Sequence, residues 1–395
     1  MKKILSLLLV VAMVLGLVAC AGESEDTFKV GFIFLHDENS TYDNNFMMAA
    51  KQVQQELGLS DDQVIFKTNI PEDNTCYDTA MKLVDEGCDV IFADSFGHES
   101  FMLQAAKECP EVQFCHATGT QAKVAGLANY HNAFASIYEG RYLAGIAAGL
   151  KLNEMISSGK ITAAQAKIGY VGAWPYAEVK SGYTSFYLGA KSVCESVTMD
   201  VTFTNSWFDI SLEKEAAENL IKDGCVLISQ HADSEGAPKA CEAASVPNVA
   251  YNISTISMAP TTAIISSKID WAPYFKLMIE SARDGKEIPT DYCGTIETGS
   301  VALTELNTAA AAEGTQEAID AAMAKLKSGE IHVFDTSKFT VSGAALTEYA
   351  ADINGDYKPD EGVNVIKDGY FNESDAEAYR SAPYFDVDID GITIK

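Results

Sequence analysis

Basic residues are scarce: 28 Lys and Arg stand against 56 Asp and Glu in 395 residues, giving −28 at pH 7. A field of that sign repels nucleic-acid phosphates and anionic lipid surfaces, so no nucleic-acid partner is expected and neutral or cationic small ligands are favoured. There are nine Cys but no C-x-x-C pair. Cys76, Cys88, Cys109, Cys115, Cys194, Cys225, Cys241 and Cys293 sit mostly beside apolar runs, which points to buried thiols rather than a disulfide framework or a zinc site. Cys109 and Cys115 alone are spaced for a bridge. A Gly-x-Ser-x-Gly elbow, a phosphate-cradling Gly-rich loop and a paired-carboxylate signature are also missing. No enzyme is therefore expected, and no cofactor. What remains is globular: 47% hydrophobic, 21% charged and 10% aromatic residues, in a chain long enough for two or three domains.

The first twenty residues read as an address. Lys2 and Lys3 precede an apolar run from Ile4 to Ala19, and Leu17-Val-Ala-Cys20 closes it. Charged start, apolar core and small residues before a Cys make a bacterial export signal whose end resembles a lipobox, with Cys20 as the lipidated residue. The run is shorter than the roughly 20 residues of a spanning helix. Ala21 to Thr27 reads as a polar tether. No later segment is apolar for long enough to span a membrane, so the remainder is expected to be soluble and extracytoplasmic.

The body is written twice. Lys29-Val-Gly-Phe-Ile parallels Lys167-Ile-Gly-Tyr-Val, and Leu83-Val-Asp-Glu-Gly-Cys88 parallels Leu220-Ile-Lys-Asp-Gly-Cys225. Around these repeats, strands at 29–35, 64–67, 89–93 and 112–115 alternate with helical patterns, and the alternation restarts with strands at 168–171, 198–203, 226–229 and 248–251. Strand and helix in alternation imply α/β architecture, with parallel sheets covered on both faces. Tyr138 to Leu150 is a helix of small residues suited to a lobe junction. After Tyr251, strands are expected at 262–266 and at His332-Val-Phe, with a helix from about Trp271 to Asp284.

In open parallel sheets a ligand sits beyond the carboxyl ends of the strands, where loops and helix N-termini converge. The post-strand loops are His36 to Tyr42, Asp94 to Ser100, His116 to Gly119, Gly172 to Tyr176, Asn205 to Asp209, Gln230 to Ser234, and Asn252. They hold four of the six His and two of the three Trp. Rings concentrated there suit a flat heteroaromatic or sugar ligand. Asp352-Ile-Asn-Gly-Asp356 and Asp386 to Gly391 carry alternating carboxylates, but Tyr357 and Val363 stand where a calcium loop needs Gly and Glu. Strand alternation with a turn is the expectation there.

These residues together resemble the basic membrane protein (BMP) family of lipoproteins, substrate-binding components of ABC importers that include purine nucleoside receptors. The resemblance is carried by the lipobox, Val30-Gly-Phe-Ile, Phe92-Ala-Asp-Ser-Phe-Gly-His98, Tyr138-Glu-Gly-Arg-Tyr-Leu-Ala-Gly145, Asn205-Ser-Trp-Phe-Asp209 and Ser229-Gln-His-Ala-Asp233. It implies a type I periplasmic-binding-protein fold: two doubly wound parallel-sheet lobes, joined by three crossings, closing on a ligand. The lobes are expected at 28–136 plus about 255–290, and at 137–254 plus about 291–345, with 346–395 as a carboxy-terminal extension. The resemblance also implies a base sandwiched between Tyr42 and Trp207, with Asn252 at a ribose-binding position. Asp94, Phe96, His98, Trp174, His231, Asp233 and Trp271 complete the expected ligand site. The Asp-Asp-x-Ser-Phe-Asn signature of nucleoside-binding members is replaced by Ser40-Thr-Tyr-Asp-Asn44, so a purine nucleoside and a free purine base stand as alternatives.

The expected partners are that purine, the permease and ATPase subunits of the importer, and the membrane reached through the Cys20 lipid; the receptor is expected to act as a monomer. Rival readings are a sugar or flavin-like ligand in the same fold, a metal-binding lipoprotein or metallo-hydrolase using His98, His116 and His231, and a purely structural lipoprotein.

Overall fold

The computed structural model describes residues 28–395, so the export signal, Cys20 and the tether fall outside the described residues. The chain runs β1 (Val30–Ile33), α1 (Thr41–Leu57), β2 (Val64–Lys67), α2 (Asn74–Asp85), β3 (Val90–Ala93), α3 (Glu99–Glu108), β4 (Gln113–Ala117) and β5 (Tyr130–Ala135). It continues through α4 (Ile137–Ser157), β6 (Lys167–Gly172), α5 (Ala177–Val193), β7 (Thr198–Phe203), α6 (Ile210–Lys222), β8 (Leu227–His231), α7 (Gly236–Ala244) and β9 (Asn248–Tyr251). The last core elements are β10 (Ala263–Ile269), α8 (Ala272–Arg283), β11 (Asp291–Gly294), β12 (Val301–Leu303) and α9 (Thr315–Lys327). The extension adds a hairpin, β13 (Ile366–Lys367) with β14 (Tyr370–Phe371), and a last strand, β15 (Ile392–Ile394).

Two sheets result. The first has the order β11-β5-β4-β3-β1-β2, the second β12-β10-β9-β8-β6-β7-β15. Every pairing is parallel except β10 with β12 in the second sheet and the separate β13–β14 hairpin. The sequence repeat has a packing cause. A side chain at Gly31 would lie 2.8 Å from Leu83, and one at Gly169 would lie 2.9 Å from Leu220, so each motif's strand glycine makes room for its own motif's helix leucine. Gly87 and Gly224 end the following helices at φ +83° and +88°, a conformation that a side chain would strain.

Several expectations need correction. β10 lies in the second sheet beside β9, and β11 in the first beside β5. The lobe boundaries at 255–290 and 291–345 therefore change places over these two strands: the chain crosses after β5, after β10 and after β11. The small-residue helix α4 packs on α5 and β10 within the second lobe, not at a junction. His332-Val-Phe is a turn rather than a strand, because Phe334 leaves the sheet to stack on Phe385 at 4.2 Å. Asp352 makes a turn without strand alternation, its carboxylate accepting from the Gly355 and Tyr357 amides. Asp386 to Asp390 likewise form no strand; pairing begins only at Ile392. The strands β5, β11, β12 and β15 and the helix α9 lie outside the elements expected from the sequence. All eight described Cys are free thiols, Cys109 and Cys115 included.

The lobes touch at their strand ends. The Thr41 amide donates to the Asp233 carbonyl at 2.8 Å, and Asn45 Nδ2 donates to the Ile269 carbonyl at 2.7 Å. The extension is pinned to both lobes. Gln121 Nε2 donates to the Asn354 carbonyl on the first, while on the second Lys180 pairs with Asp386 at 2.7 Å and β15 extends the sheet beside β7.

Candidate ligand-binding site

Between the lobes lies a cavity of only about 20 Å³, lined among others by Tyr42, Phe96, Glu178, Trp207, His231 and Asp233. That is the room of roughly one water molecule, so any ring-bearing ligand enters by moving the lobes or the rings apart. Each lining residue is placed by a strand end. Ser40 caps α1, its hydroxyl accepting from the Asp43 amide, and this sets Tyr42 in the first turn. The Tyr42 hydroxyl donates to the Asp94 carbonyl at 2.8 Å, which fixes the ring against β3. Phe96 follows β3 and meets Tyr176 of the other lobe at 5.5 Å. Trp207 precedes α6, whose cap Asp209 accepts from the Ser211 and Leu212 amides.

The polar side of the cavity is drawn from both lobes: His36, Asp43, Ser95 and Thr118 from the first, Glu178, His231 and Asp233 from the second. His231 Nε2 lies 3.3 Å from Glu178 Oε1, and its ring packs on Tyr251 at 4.9 Å. Burial pushes the Glu178 carboxyl up to about 7, against the pull of Arg141. Burial, helped by Arg141, holds His231 well below the usual imidazole range and so neutral. Asp233 is raised first by burial and then by Glu213, Asp43 and Glu178, and Asn252 Nδ2 donates to its Oδ1 at 3.3 Å. Arg141 itself is buried, with its guanidinium 3.5 Å from the centre of the Tyr251 ring and Nη1 donating to the Gln230 carbonyl. In the first lobe Asp43 and Asp94 divide the roles: burial opposes charge at Asp43, but His36 and Ser40 hold it low, while burial and the Asp43 charge push Asp94 well above the usual carboxylate range. The cavity thus presents aromatic faces, the Asp43 carboxylate and further groups able to donate or accept.

Of the residues expected from sequence, Tyr42, Phe96, Trp207, His231 and Asp233 line this cavity, and Asp94 and Asn252 sit behind it. Three do not belong to it. Trp271 is 2% exposed and stacks on Phe46 at 4.4 Å in the first lobe's core, because α8 crosses back onto α1 there. His98 is buried with Nε2 on the Ile70 carbonyl, and burial pushes it down to about 4. Trp174 stacks on Tyr176 at 5.9 Å without reaching the cavity wall. His116 Nε2 is taken by the Ser95 carbonyl, so the three His proposed as metal ligands are dispersed. Among the described residues no group of three or more His, Cys, Asp or Glu is arranged to hold a metal ion. Sequence reasoning missed Glu178 and Asp43; the available signal was their place in the first turn of helices that follow strand ends.

Two lobes of parallel sheet, three crossings and a ring-lined cavity between them define a substrate-binding protein of the type I periplasmic-binding fold. Residues 40–337 match the Bmp family profile, described as ABC transporter substrate-binding protein PnrA-like, and the chain belongs to that family. A purine-binding protein of Brucella abortus is 29% identical over 82% of this chain and 89% of its own length. A protein of Haloferax volcanii described as an ABC transporter glucose-binding protein is 35% identical over 55% of this chain and 52% of its own. Among solved structures, an ABC transporter solute-binding protein of Conexibacter woesei superposes with a TM-score of 0.63 at 20% identity, covering 78% of this chain and 98% of that one. The protein is therefore a substrate-binding component of an ABC importer, acting outside the cytoplasm on a small ligand and serving a permease and its ATPase. Among the described residues no helix is long and apolar enough to cross a membrane.

Proposed function

We propose that this receptor captures a purine, as base or nucleoside, between Tyr42 and Trp207, and that Cys20 tethers it by a lipid to the membrane beside its permease. The observation that carries the reading is one cavity with an aromatic ring from each lobe and convergent hydrogen-bonding groups at His231, Glu178 and Asp233. Rings above and below a flat base combine apolar burial with a geometric preference, and the polar groups read its edge. The ligand bridges both lobes, so it shifts the population toward a closed state built around it. The Brucella abortus relative, named for purine binding, supports this assignment. A hexose in the same cleft is the second reading, favoured by the Haloferax volcanii relative's description.

Thermal unfolding against adenine, adenosine, guanosine, D-glucose and riboflavin tests the assignment. A ligand at one hundred times its dissociation constant adds about 2.7 kcal/mol, which moves the midpoint visibly. Stabilisation by purines alone supports the proposal; stabilisation by glucose alone replaces it with the sugar reading. The lipid tether predicts that Cys20→Ala releases the protein from the membrane fraction.

A further inference from the structure

The interlobe cleft has a second compartment. A cavity of about 600 Å³, lined by both rings of the Phe96–Tyr176 pair, opens beside it. It shares Phe96, Thr118 and Glu178 with the small inner cavity, so the two adjoin. Its outer wall is made by the extension: Tyr349, Asp352, Tyr357, Arg380, Tyr384 and Asp386. All six lie beyond residue 337, where the family match ends.

This wall is built and held. On the first lobe Lys123 donates to the Ala376 and Glu377 carbonyls, and Asp291 accepts from the Ser381 amide. On the second lobe Lys180 holds Asp386 and Asp388, and Tyr138 donates to the Glu373 carbonyl. Within the wall Arg380 is 6% exposed. Its Nε and Nη2 donate to the Ala382 and Pro383 carbonyls, and Nη1 has no partner among the described residues. Asp352 and Asp386 each keep lone pairs beyond those already engaged. Tyrosine faces interleaved with donors and acceptors match a sugar ring, whose C–H faces lie on aromatic rings while its hydroxyls donate and accept. An apolar ring would bury these polar groups without compensation.

We propose that the carboxy-terminal extension builds a sugar subsite onto the interlobe cleft, so that the ligand's sugar ring rests against Tyr357 and the neighbouring tyrosines. The proposal rests on the interlobe cleft being the binding site. The sugar has two sources, the ribose of a purine nucleoside or a free hexose, and the test separates them. Calorimetric titration of the full chain and of Tyr357→Ala with adenine, adenosine and D-glucose is decisive. Tyr357 is 72% exposed, so its truncation leaves the fold intact. Adenosine affinity is expected to fall about fivefold or more in the variant while adenine affinity holds. If the wild-type chain binds no purine, the purine assignment falls, and a glucose affinity that drops in Tyr357→Ala still supports the subsite with a free hexose as its source. The proposal is overturned if the wild type binds neither adenosine nor glucose, or if Tyr357→Ala binds them as tightly as the wild type does.

Discussion

The two lobes share a strand-and-helix plan, yet they treat their strand ends differently. In the first lobe the imidazoles at the ends of β3 and β4 are spent on the lobe itself, His98 on the Ile70 carbonyl and His116 on the Ser95 carbonyl, while Ser95 and Thr118 line the cavity. In the second lobe the corresponding ends send Trp207, His231 and Asp233, together with Glu178 from the first turn of α5, to the cavity. A duplicated fold duplicates the scaffold, not the site. The first lobe brings the Tyr42 and Phe96 rings with Asp43, Ser95 and Thr118; the second brings Trp207 with Glu178, His231 and Asp233.

The sharpest way to break this comparison is Trp271→Ala. If Trp271 belongs to the first lobe's core, its truncation should cost about 3–5 kcal/mol of stability in denaturant unfolding. A variant of unchanged stability that loses ligand would instead return Trp271 to the site. Next comes Trp207→Ala, which should lose about 1–3 kcal/mol of purine binding by titration, with stability little changed. In the first lobe His98→Gln should keep purine affinity within about twofold. Equal losses in the two variants would erase the asymmetry.

A third test uses pH. Glu178 and Glu213 in the second lobe, and Glu373 in the extension, are each pushed up to about 7, chiefly by burial. Their unfolded values lie near 4.5, so between about pH 4.5 and 7 the folded state binds more protons than the unfolded one. Their contribution to stability is therefore full below that window and is lost as pH rises through it. Glu178→Gln should flatten part of the decline in the unfolding midpoint between pH 5 and 7.5, and an unchanged slope would show that its carboxyl is not burdened by burial. The smallest effect is expected at Lys180→Ala. Its ion pairs with the half-exposed Asp386 and Asp388 should be worth less than about 1 kcal/mol. A larger loss, with the extension becoming sensitive to protease, would make that pair a principal anchor of the wall.

Much of the fold was legible because the repeat is local. Strand periodicity, the helix that follows and the glycine that ends it lie within a few dozen residues, and each is dictated by neighbours in the chain. β5 escaped notice because His131 and Asn132 interrupt its apolar pattern. Both are buried only because distant groups satisfy them: Gln113 and the Pro289 carbonyl at His131, and the Ala122 amide at Asn132. The site was half legible for the same reason. Trp207, His231 and Asp233 follow strands and face the cleft, whereas Trp271 and His98 occupy equally suggestive positions and are consumed by packing.

The sequence by itself determined that there are two α/β lobes, that their sheets are mainly parallel, and the loops from which a site had to be drawn, since periodicity and glycine placement act over short range. Only the tertiary structure decided which strand ends reach the cleft, that β10 and β11 exchange lobes, and that the extension walls the outer cavity. Those outcomes depend on contacts between residues far apart in sequence, where burial, hydrogen-bond satisfaction and ring packing compete for the same side chains.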